Sequence, residues 1–191
     1  MSLDLSALTD GELATLTIAG RQAAFAEIMR RHRQPVFRLA RGFLGDADEA
    51  LDMTQETFVA AHQALHRYDA ARPMRAWLST IAVNKCRDHA RKRAVRRFFS
   101  FASPIGDEAE AVAEPRVPLD EAAADRQELD RVTRAIATLP INLKESLVLR
   151  TIEGLSQAET AGVLDISEKA VETRLYRARA KLLEMLGGRE G

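Results

Sequence analysis

The sequence lacks the features of a secreted or membrane-spanning protein. Its 191 residues include one cysteine, Cys86, so no disulfide can form within the chain and a reducing compartment is expected. No apolar run approaches the roughly 18 residues that a spanning helix needs, and the N-terminus has no signal-peptide pattern. These absences predict a soluble, cytoplasmic protein.

Aromatic residues and catalytic motifs are also scarce. Aromatics make up 5% of the chain, and the sequence lacks the apolar–polar alternation of strands, so it predicts an all-α fold. No nucleophile–base pair, phosphate-binding loop or carboxylate cluster occurs. We therefore expect no catalytic residues, no cofactor and no small-molecule ligand. His62 and His66 have metal-ligand spacing, but no cysteine or third histidine accompanies them, and we expect no metal site.

The formal net charge of zero conceals two opposed charged blocks. Residues 85–97 contain seven lysines and arginines against a single acid, Asp88. Residues 107–130 contain nine acids against Arg116 and Arg126. A neutral total is therefore no argument against a polyanionic partner for the basic block.

Apolar periodicity predicts two helical domains. Residues 98–119 combine prolines, a glycine and acids with few apolar anchors, which predicts a flexible acidic linker that could reach roughly 70 Å when extended. The expected domains are thus residues 1–97 and 120–191. Met29, Leu51 and Val59 are expected to face the core of the first. The predicted helices span 10–20, 21–44 (kinked or divided at Pro35), 48–66, 74–95, 121–138, 142–152, 156–164 and 168–186.

The last third of the chain has the pattern of a helix-turn-helix, a unit that places a helix in the DNA major groove. Ser156 and Glu159 form a capping box, and Asp165 suits the left-handed turn residue. Ser167 caps a second helix. Ala158, Ala161 and Leu164 give the first helix an apolar stripe, and Val171, Leu175, Ala178 and Leu182 give the second one its own.

The opposite face of that second helix carries groups suited to base edges and phosphates. An ordinary helical bundle with a solvated charged face is the alternative for this segment alone. The face consists of Lys169, Thr173, Tyr176 and Arg177, flanked by Glu172 and Arg174.

Two motif blocks in this order resemble a known family. The first is LGDADEALDMTQETF at 44–58, followed by RAWLSTIAVNKCRDHAR at 75–91. The second combines LP at 139–140, GLS at 154–156 and VETRLYRARAKL at 171–182. Together they resemble the small, two-domain extracytoplasmic-function (ECF) sigma factors of bacterial RNA polymerase, members of the sigma-70 family. The resemblance implies a region 2 bundle before the linker and a region 4 helix-turn-helix after it.

In such factors an Asp-x-x-Gln-Glu stretch docks on a coiled coil of core RNA polymerase. By resemblance, Asp52, Gln55 and Glu56 have that role here, and their spacing places them on one helical face. An ordinary solvated acidic face is the alternative.

The fourth helix and the loop before it correspond to the part that opens the promoter and binds its −10 element. The loop 68–74 is implied to form a pocket for an unstacked base, and Asn84 to contact the captured strand. Thr80 stands where relatives often carry a basic residue, and core packing is the alternative role for Trp77. The −10 set is Tyr68, Arg72, Trp77, Thr80, Asn84, Lys85, Arg87, Asp88 and Arg91.

By resemblance, the exposed face of the helix-turn-helix binds the −35 element of the promoter. Glu172 stands where relatives often carry Lys or Arg, so we expect a different −35 sequence. The −35 set is Lys169, Glu172, Thr173, Arg174, Tyr176 and Arg177.

The implied function is transcription initiation in a stress or envelope response. The implied partners are core RNA polymerase, promoter DNA and an anti-sigma factor, often membrane-bound, with the free protein a monomer. Two other functions stay open. A sigma-like decoy that titrates an anti-sigma factor would not need the cations at 85–97. A dimeric helix-turn-helix repressor would need a dimer helix that the sequence does not show.

Overall fold

The computed structural model describes residues 3–101 and 121–187, and within them the regular structure is entirely helical, which confirms the all-α prediction. Most of the predicted linker, residues 102–119, lies outside this part. Among residues 3–101 and 121–187, no helix combines the length and the apolar composition that a membrane-spanning helix needs. The helices are α1 Asp10–Ile18, α2 Gln22–Leu44, α3 Ala47–Ala64, α4 Met74–Phe101, α5 Glu121–Thr138, α6 Ile141–Leu147, α7 Gln157–Leu164 and α8 Glu168–Gly187, with 3-10 turns at Leu5–Ala7 and Leu65–Arg67 and a π-helical turn at Val148–Ile152.

Helix boundaries in the first half follow local capping chemistry. Thr9 and Glu12 form a capping box at the start of α1, with the Glu12 carboxylate accepting from the Thr9 N–H at 2.7 Å. Asp46 begins α3 by accepting from the N–H groups of Asp48 and Glu49 at 2.9 and 2.8 Å. Each bond satisfies a donor that has no partner within its helix.

Helix α2 organises the first half. It packs against α1, α3 and α4, and it buries Phe25, Ile28, Leu39 and Phe43 against them. Pro35 lies inside α2 without dividing it, so of the two expected outcomes, a kink or a division, the division does not occur. The proline removes one backbone hydrogen bond, and burial of the apolar stripe on both sides of it offsets that loss.

Three residues that were expected in the core are on the surface. Met29, Leu51 and Val59 are 38%, 36% and 59% exposed. Helix α3 buries Met53, Thr54 and Thr57 in place of Leu51 and Val59, so its buried stripe is rotated from the predicted one. A second difference concerns α4, which continues through Phe101 and so past the predicted linker boundary at residue 98.

The two halves pack against each other, which settles a relative placement that the sequence left open. Helix α2 contacts α5 and the π-helical turn, and α4 contacts α7. Buried apolar residues of both halves form one continuous cluster. Gly42 allows this approach, because a Cβ there would lie 2.8 Å from Ile152 Cδ1 and 3.1 Å from Val148 Cγ2.

Candidate nucleic-acid and protein interfaces

The helix-turn-helix forms as its capping pattern predicts. The Ser156 hydroxyl accepts from the Glu159 N–H at 3.1 Å, and the Glu159 carboxylate accepts from the Ser156 N–H at 2.7 Å. Asp165 ends α7 in the left-handed region at φ 54°. The Ser167 hydroxyl then accepts from the Ala170 N–H at 3.2 Å, which caps α8.

The buried faces of α7 and α8 hold the unit together. Val171 and Ala178 of α8 are fully buried, as predicted, and Leu175 and Leu182 are half-buried. In α7 the predicted stripe is partly wrong, because Ala158 is exposed and Thr160 is buried in its place. Ala161 and Leu164 are buried as expected.

The opposite face of α8 is open to solvent. Thr173, Tyr176 and Arg177 are exposed, Tyr176 by 77%. Lys169 and Glu172 form an exposed ion pair at 2.8 Å, and Arg174 at the flank is half-buried. Because an exposed pair of this kind is weak, a nucleic acid could take Lys169 from Glu172 at little cost.

The loop 68–74 borders a cavity of about 560 Å³. The Tyr68 hydroxyl donates to the Arg72 carbonyl at 2.8 Å, and the Asp69 carboxylate accepts from the Ala71 N–H at 3.0 Å, so the loop has a defined shape. Trp77 is half-buried with its ring centroid 5.2 Å from that of Tyr68. Burial, and then the charges of Asp10 and Asp69, raise the pKa of Tyr68.

Helix α1 supplies a second wall of this cavity, which the sequence did not indicate. Thr9, Asp10, Glu12 and Thr15 line it opposite the loop. Forty-nine residues separate α1 from the loop, and only packing in the fold brings the two together. The two come close at Gly11, where a Cβ would lie 3.0 Å from Ala70 Cβ.

Arg31 of α2 fixes this second wall. Its guanidinium donates to the carbonyls of Leu5, Ser6 and Leu8 at 3.2, 2.9 and 2.8 Å, and to the Asp10 carboxylate at 3.1 Å. Glu27 holds the same guanidinium from the other side at 2.8 Å. Hydrogen bonds from Arg30 and Arg31 lower the pKa of Glu27 to about 2.

Helix α4 carries the remaining predicted −10 residues. Asn84, Asp88 and Arg91 are exposed, and Arg91 lies 3.6 Å from Asp88. Thr80 donates its hydroxyl to the Ala76 carbonyl at 3.1 Å. Lys85 pairs with Glu56 of α3 at 3.4 Å.

Arg87 is engaged elsewhere. Its Nε and Nη2 donate to the two carboxylate oxygens of Glu145 in α6, at 2.5 and 2.8 Å. This bidentate bond raises the pKa of Arg87. The resemblance placed Arg87 in the −10 set. In this arrangement the Glu145 carboxylate occupies two of its donors, and Arg87 Nη1 donates to Asn84 Oδ1 at 3.3 Å.

The predicted docking residues Asp52, Gln55 and Glu56 are all exposed on α3. An apolar groove of about 360 Å³ begins beside them, between α2 and α3. It explains the exposed Met29 and Val59, because both line it together with Phe25 and Phe58. The surface therefore combines an acidic edge with an open apolar patch, a combination typical of a protein-binding site.

His62 and Cys86 both contact other side chains of the fold. The ring of His62 packs edge-on against Phe25 with centroids 4.8 Å apart. Cys86 is 1% exposed, and burial raises the pKa of its thiol to about 12. The residues that the structure describes contain no group of three or more histidine, cysteine, aspartate and glutamate side chains that could hold a metal ion.

Both halves match family models. Residues 28–96 match Sigma-70 region 2, and residues 129–182 match Sigma-70, region 4. The chain is 42% identical over 179 residues to RNA polymerase sigma factor CnrH of Cupriavidus metallidurans, covering 93% of this chain and 94% of CnrH. It is 33% identical over 187 residues to ECF RNA polymerase sigma factor SigM of Mycobacterium tuberculosis, covering 94% and 85%.

Solved structures share the fold. CnrH in complex with the cytosolic domain of CnrY matches with a TM-score of 0.70 at 36% identity, over 95% of this chain and 99% of that one. The sigma factor RpoE of Bartonella quintana, in complex with the anti-sigma factor NepR, matches with a TM-score of 0.66 at 23% identity, over 87% and 98%.

Proposed function

The chain belongs to the ECF sigma factors of the sigma-70 family, and on that basis we propose that it binds core RNA polymerase and directs it to promoters with specific −35 and −10 elements. The observation that carries the proposal is the open face of α8, where Thr173, Tyr176 and Arg177 stand exposed on a doubly capped helix-turn-helix.

The −35 element is assigned to this face of α8. Arg177 can pair with both acceptors of a guanine, and each good bidentate contact of this kind contributes about 1–3 kcal/mol of discrimination. Glu172 can accept from a cytosine amino group once Lys169 leaves it for a phosphate. The ion pair between them would then act as a switch between free and DNA-bound side-chain arrangements.

The −10 element is assigned to α4 and the cavity before it. An unstacked base needs a pocket, and the cavity of about 560 Å³ has a tyrosine on one wall and the polar side chains of α1 on the other. Asn84 is exposed and can both donate to and accept from a base edge. Lys85, Arg87 and Arg91 supply cations for the strand's phosphates.

We assign the binding of core polymerase to the acidic edge of α3. Asp52, Gln55 and Glu56 suit a basic partner surface, and the adjoining apolar groove adds area that excludes water. An inhibitory protein partner is a further part of the proposal. Support comes from RpoE, which forms a complex with the anti-sigma factor NepR, and from CnrH, which forms one with the cytosolic domain of CnrY. Such an inhibitor would control a stress response or an envelope response.

Run-off transcription with purified core polymerase and a genomic fragment library tests the proposal. We expect specific transcripts from a subset of fragments. A decoy would bind an anti-sigma factor and yield none, and complete absence of specific transcripts would overturn the proposal.

Two variants separate the interfaces. Arg177→Ala should abolish −35-dependent transcription and keep core binding, whereas Arg179→Ala, exposed on the opposite flank of α8, should change neither. Asp52→Arg should weaken core binding, and it breaks no ion pair seen in the described residues. Glu184→Arg, an exposed charge reversal of the same size on α8, is its control. Normal core binding by Asp52→Arg would refute the docking assignment.

A further inference from the structure

The cavity between α1 and the loop 68–74 has two walls of different chemical character. On the loop side Tyr68 supplies an aromatic ring, on which a planar ligand can stack. On the α1 side the lining side chains are all polar. They are Thr9, Asp10, Glu12 and Thr15. A ligand in this cavity therefore meets an aromatic ring on one side and a row of oxygen atoms on the other.

The charge of the α1 wall determines which part of a DNA strand can enter. Of the described α1 residues that line the cavity, two are carboxylates and none is a cation. Burial, and then the charges of Asp10 and Asp69, raise the pKa of Tyr68, as expected where nearby charges are negative. Such a wall repels a phosphate, whereas an amino group of a base can donate to it. The cavity therefore suits a base and leaves the phosphates outside.

Asp10 and Thr15 are already engaged by other groups of the protein. Asp10 Oδ1 accepts from Arg31 at 3.1 Å, and Asp10 Oδ2 lies 2.9 Å from Nε2 of His32. The Thr15 hydroxyl donates to the Gly11 carbonyl at 3.0 Å. Both oxygens of Asp10 thus have partners in the fold, and the proton of Thr15 is used within α1.

Glu12 differs, because only one of its two carboxylate oxygens is engaged. Its Oε2 accepts from the Thr9 N–H at 2.7 Å and from the Thr9 hydroxyl at 2.8 Å. Within the described residues Oε1 has no hydrogen-bond partner, and the side chain is exposed on the cavity wall. The hydrogen bonds from Thr9 lower the pKa of Glu12. The carboxylate is therefore ionised at neutral pH and can only accept.

We propose that Glu12 is a specificity-determining residue for the base that enters this cavity, because its Oε1 accepts from the exocyclic amino group of adenine, cytosine or guanine and discriminates against thymine, which has no such group. This inference rests on the proposed function, since it takes the ligand to be an unstacked base of the −10 strand. Thymine has carbonyl oxygens on both sides of its single N–H group, and the carboxylate repels them. One hydrogen bond to a charged acceptor is enough for about ten-fold discrimination.

Glu12→Gln tests the acceptor with little change elsewhere. Glutamine has nearly the size of glutamate and can replace it in a capping box, so α1 should begin at the same residue. If the glutamine oxygen accepts from Thr9 as Oε2 does, its NH₂ group takes the place of Oε1. That group can donate to a thymine carbonyl. The variant should therefore keep the fold and admit thymine.

Glu159→Gln is the matched control. Glu159 has the same place in the capping box of α7, where its carboxylate accepts from the Ser156 N–H at 2.7 Å. It lies in the second half of the chain and is not among the residues that line the cavity. The same chemical change is thus made in the same local motif, away from the base. Circular dichroism checks that both variants keep their helices.

The measurement uses the chain assembled with core RNA polymerase. The DNA is a fragment that gives a specific transcript in the run-off assay, rebuilt with one strand of its −10 region unpaired and randomised. Bound DNA is separated and sequenced, and the use of each base is compared at every randomised position. For the wild type we expect a position at which thymine is depleted about ten-fold relative to the other three bases. In Glu12→Gln this depletion should disappear at that position alone, and Glu159→Gln should match the wild type.

The possible failures of this experiment are distinguishable. Identical base use by the wild type and Glu12→Gln at every position would overturn the assignment of Glu12. A loss of preference at all positions together would overturn it as well, because a change of that kind comes from the fold and not from one base. In both cases the wild type still selects particular bases, so the proposed function stands. If the wild type yields no specific transcript and selects no base, the proposed function fails, and the assignment of Glu12 fails with it.

Discussion

Gly45 is the position where adding a single methyl group should test the contact between the halves most directly. It ends α2 in the left-handed region at φ 77°, and a Cβ there would lie 2.7 Å from the Cβ of Ala137 in α5. Gly45→Ala therefore has two costs, one from the backbone conformation and one from the overlap. Gly154 has the first cost alone, because its φ is 63° and a Cβ there would meet nothing within 4 Å.

These two positions allow the costs to be separated. A left-handed non-glycine residue costs about 1–2 kcal/mol, so Gly154→Ala should lower the free energy of unfolding by that amount. Overpacking adds about 1–3 kcal/mol, so Gly45→Ala should cost about 2–5 kcal/mol. The destabilisation from the overlap cannot exceed the free energy that holds the halves together, because a larger overlap would make the halves separate instead.

A double-mutant cycle with Ala137→Gly isolates the overlap. Removing the Ala137 methyl group gives the new Cβ at position 45 room, so Gly45→Ala should be less destabilising in the Ala137→Gly background by about 1–3 kcal/mol. Urea unfolding followed by circular dichroism measures all four proteins. A coupling energy near zero would mean that α2 and α5 do not meet at this point in solution, and the packing of the two halves would be refuted.

Three further predictions concern single side chains. Burial raises the pKa of Glu153 above its ordinary value near 4.5 in spite of Arg75, so its ionisation costs more in the folded state and its contribution to stability is lost as pH rises above that value. The wild type should therefore lose stability relative to Glu153→Gln as pH rises. A difference in unfolding free energy that does not change with pH would contradict this. Asp165 has φ 54°, so Asp165→Ala should lower the unfolding free energy by about 1 kcal/mol while Asp165→Gly should not, and equal losses would show that the left-handed turn is not the cause. Ser156→Ala removes the acceptor for the Glu159 N–H and should cost about 1 kcal/mol in urea unfolding, whereas no loss would mean that the capping box contributes nothing to α7.

Local features of the fold could be predicted because short-range chemistry determines them. The Ser156–Glu159 capping box, the left-handed Asp165 and the buried Val171 and Ala178 depend on residues close to one another in the sequence. Met29, Leu51 and Val59 were misplaced because an apolar residue on an amphipathic helix can belong to a core or to an exposed groove. Sequence periodicity does not distinguish the two environments.

The contact between the halves could not be predicted for a different reason. Arg87 and Glu145 are 58 positions apart, and each has the pattern of a solvated charge on its own helix. Only the fold brings them within hydrogen-bonding distance and removes water from Glu145. The cavity wall formed by α1 was missed for the same reason. The roles assigned to the −35, −10 and docking residues stay predictions until the variants are measured.

Arg31 gives the cavity beside Tyr68 a thermodynamic advantage. By binding the carbonyls of Leu5, Ser6 and Leu8 together with Asp10, it holds the segment before α1 in one arrangement. The loss of conformational entropy is thus incurred once, during folding, and is not repeated at each encounter with a ligand. A nucleotide that enters the cavity meets a preorganised wall, and more of the contact energy remains as affinity.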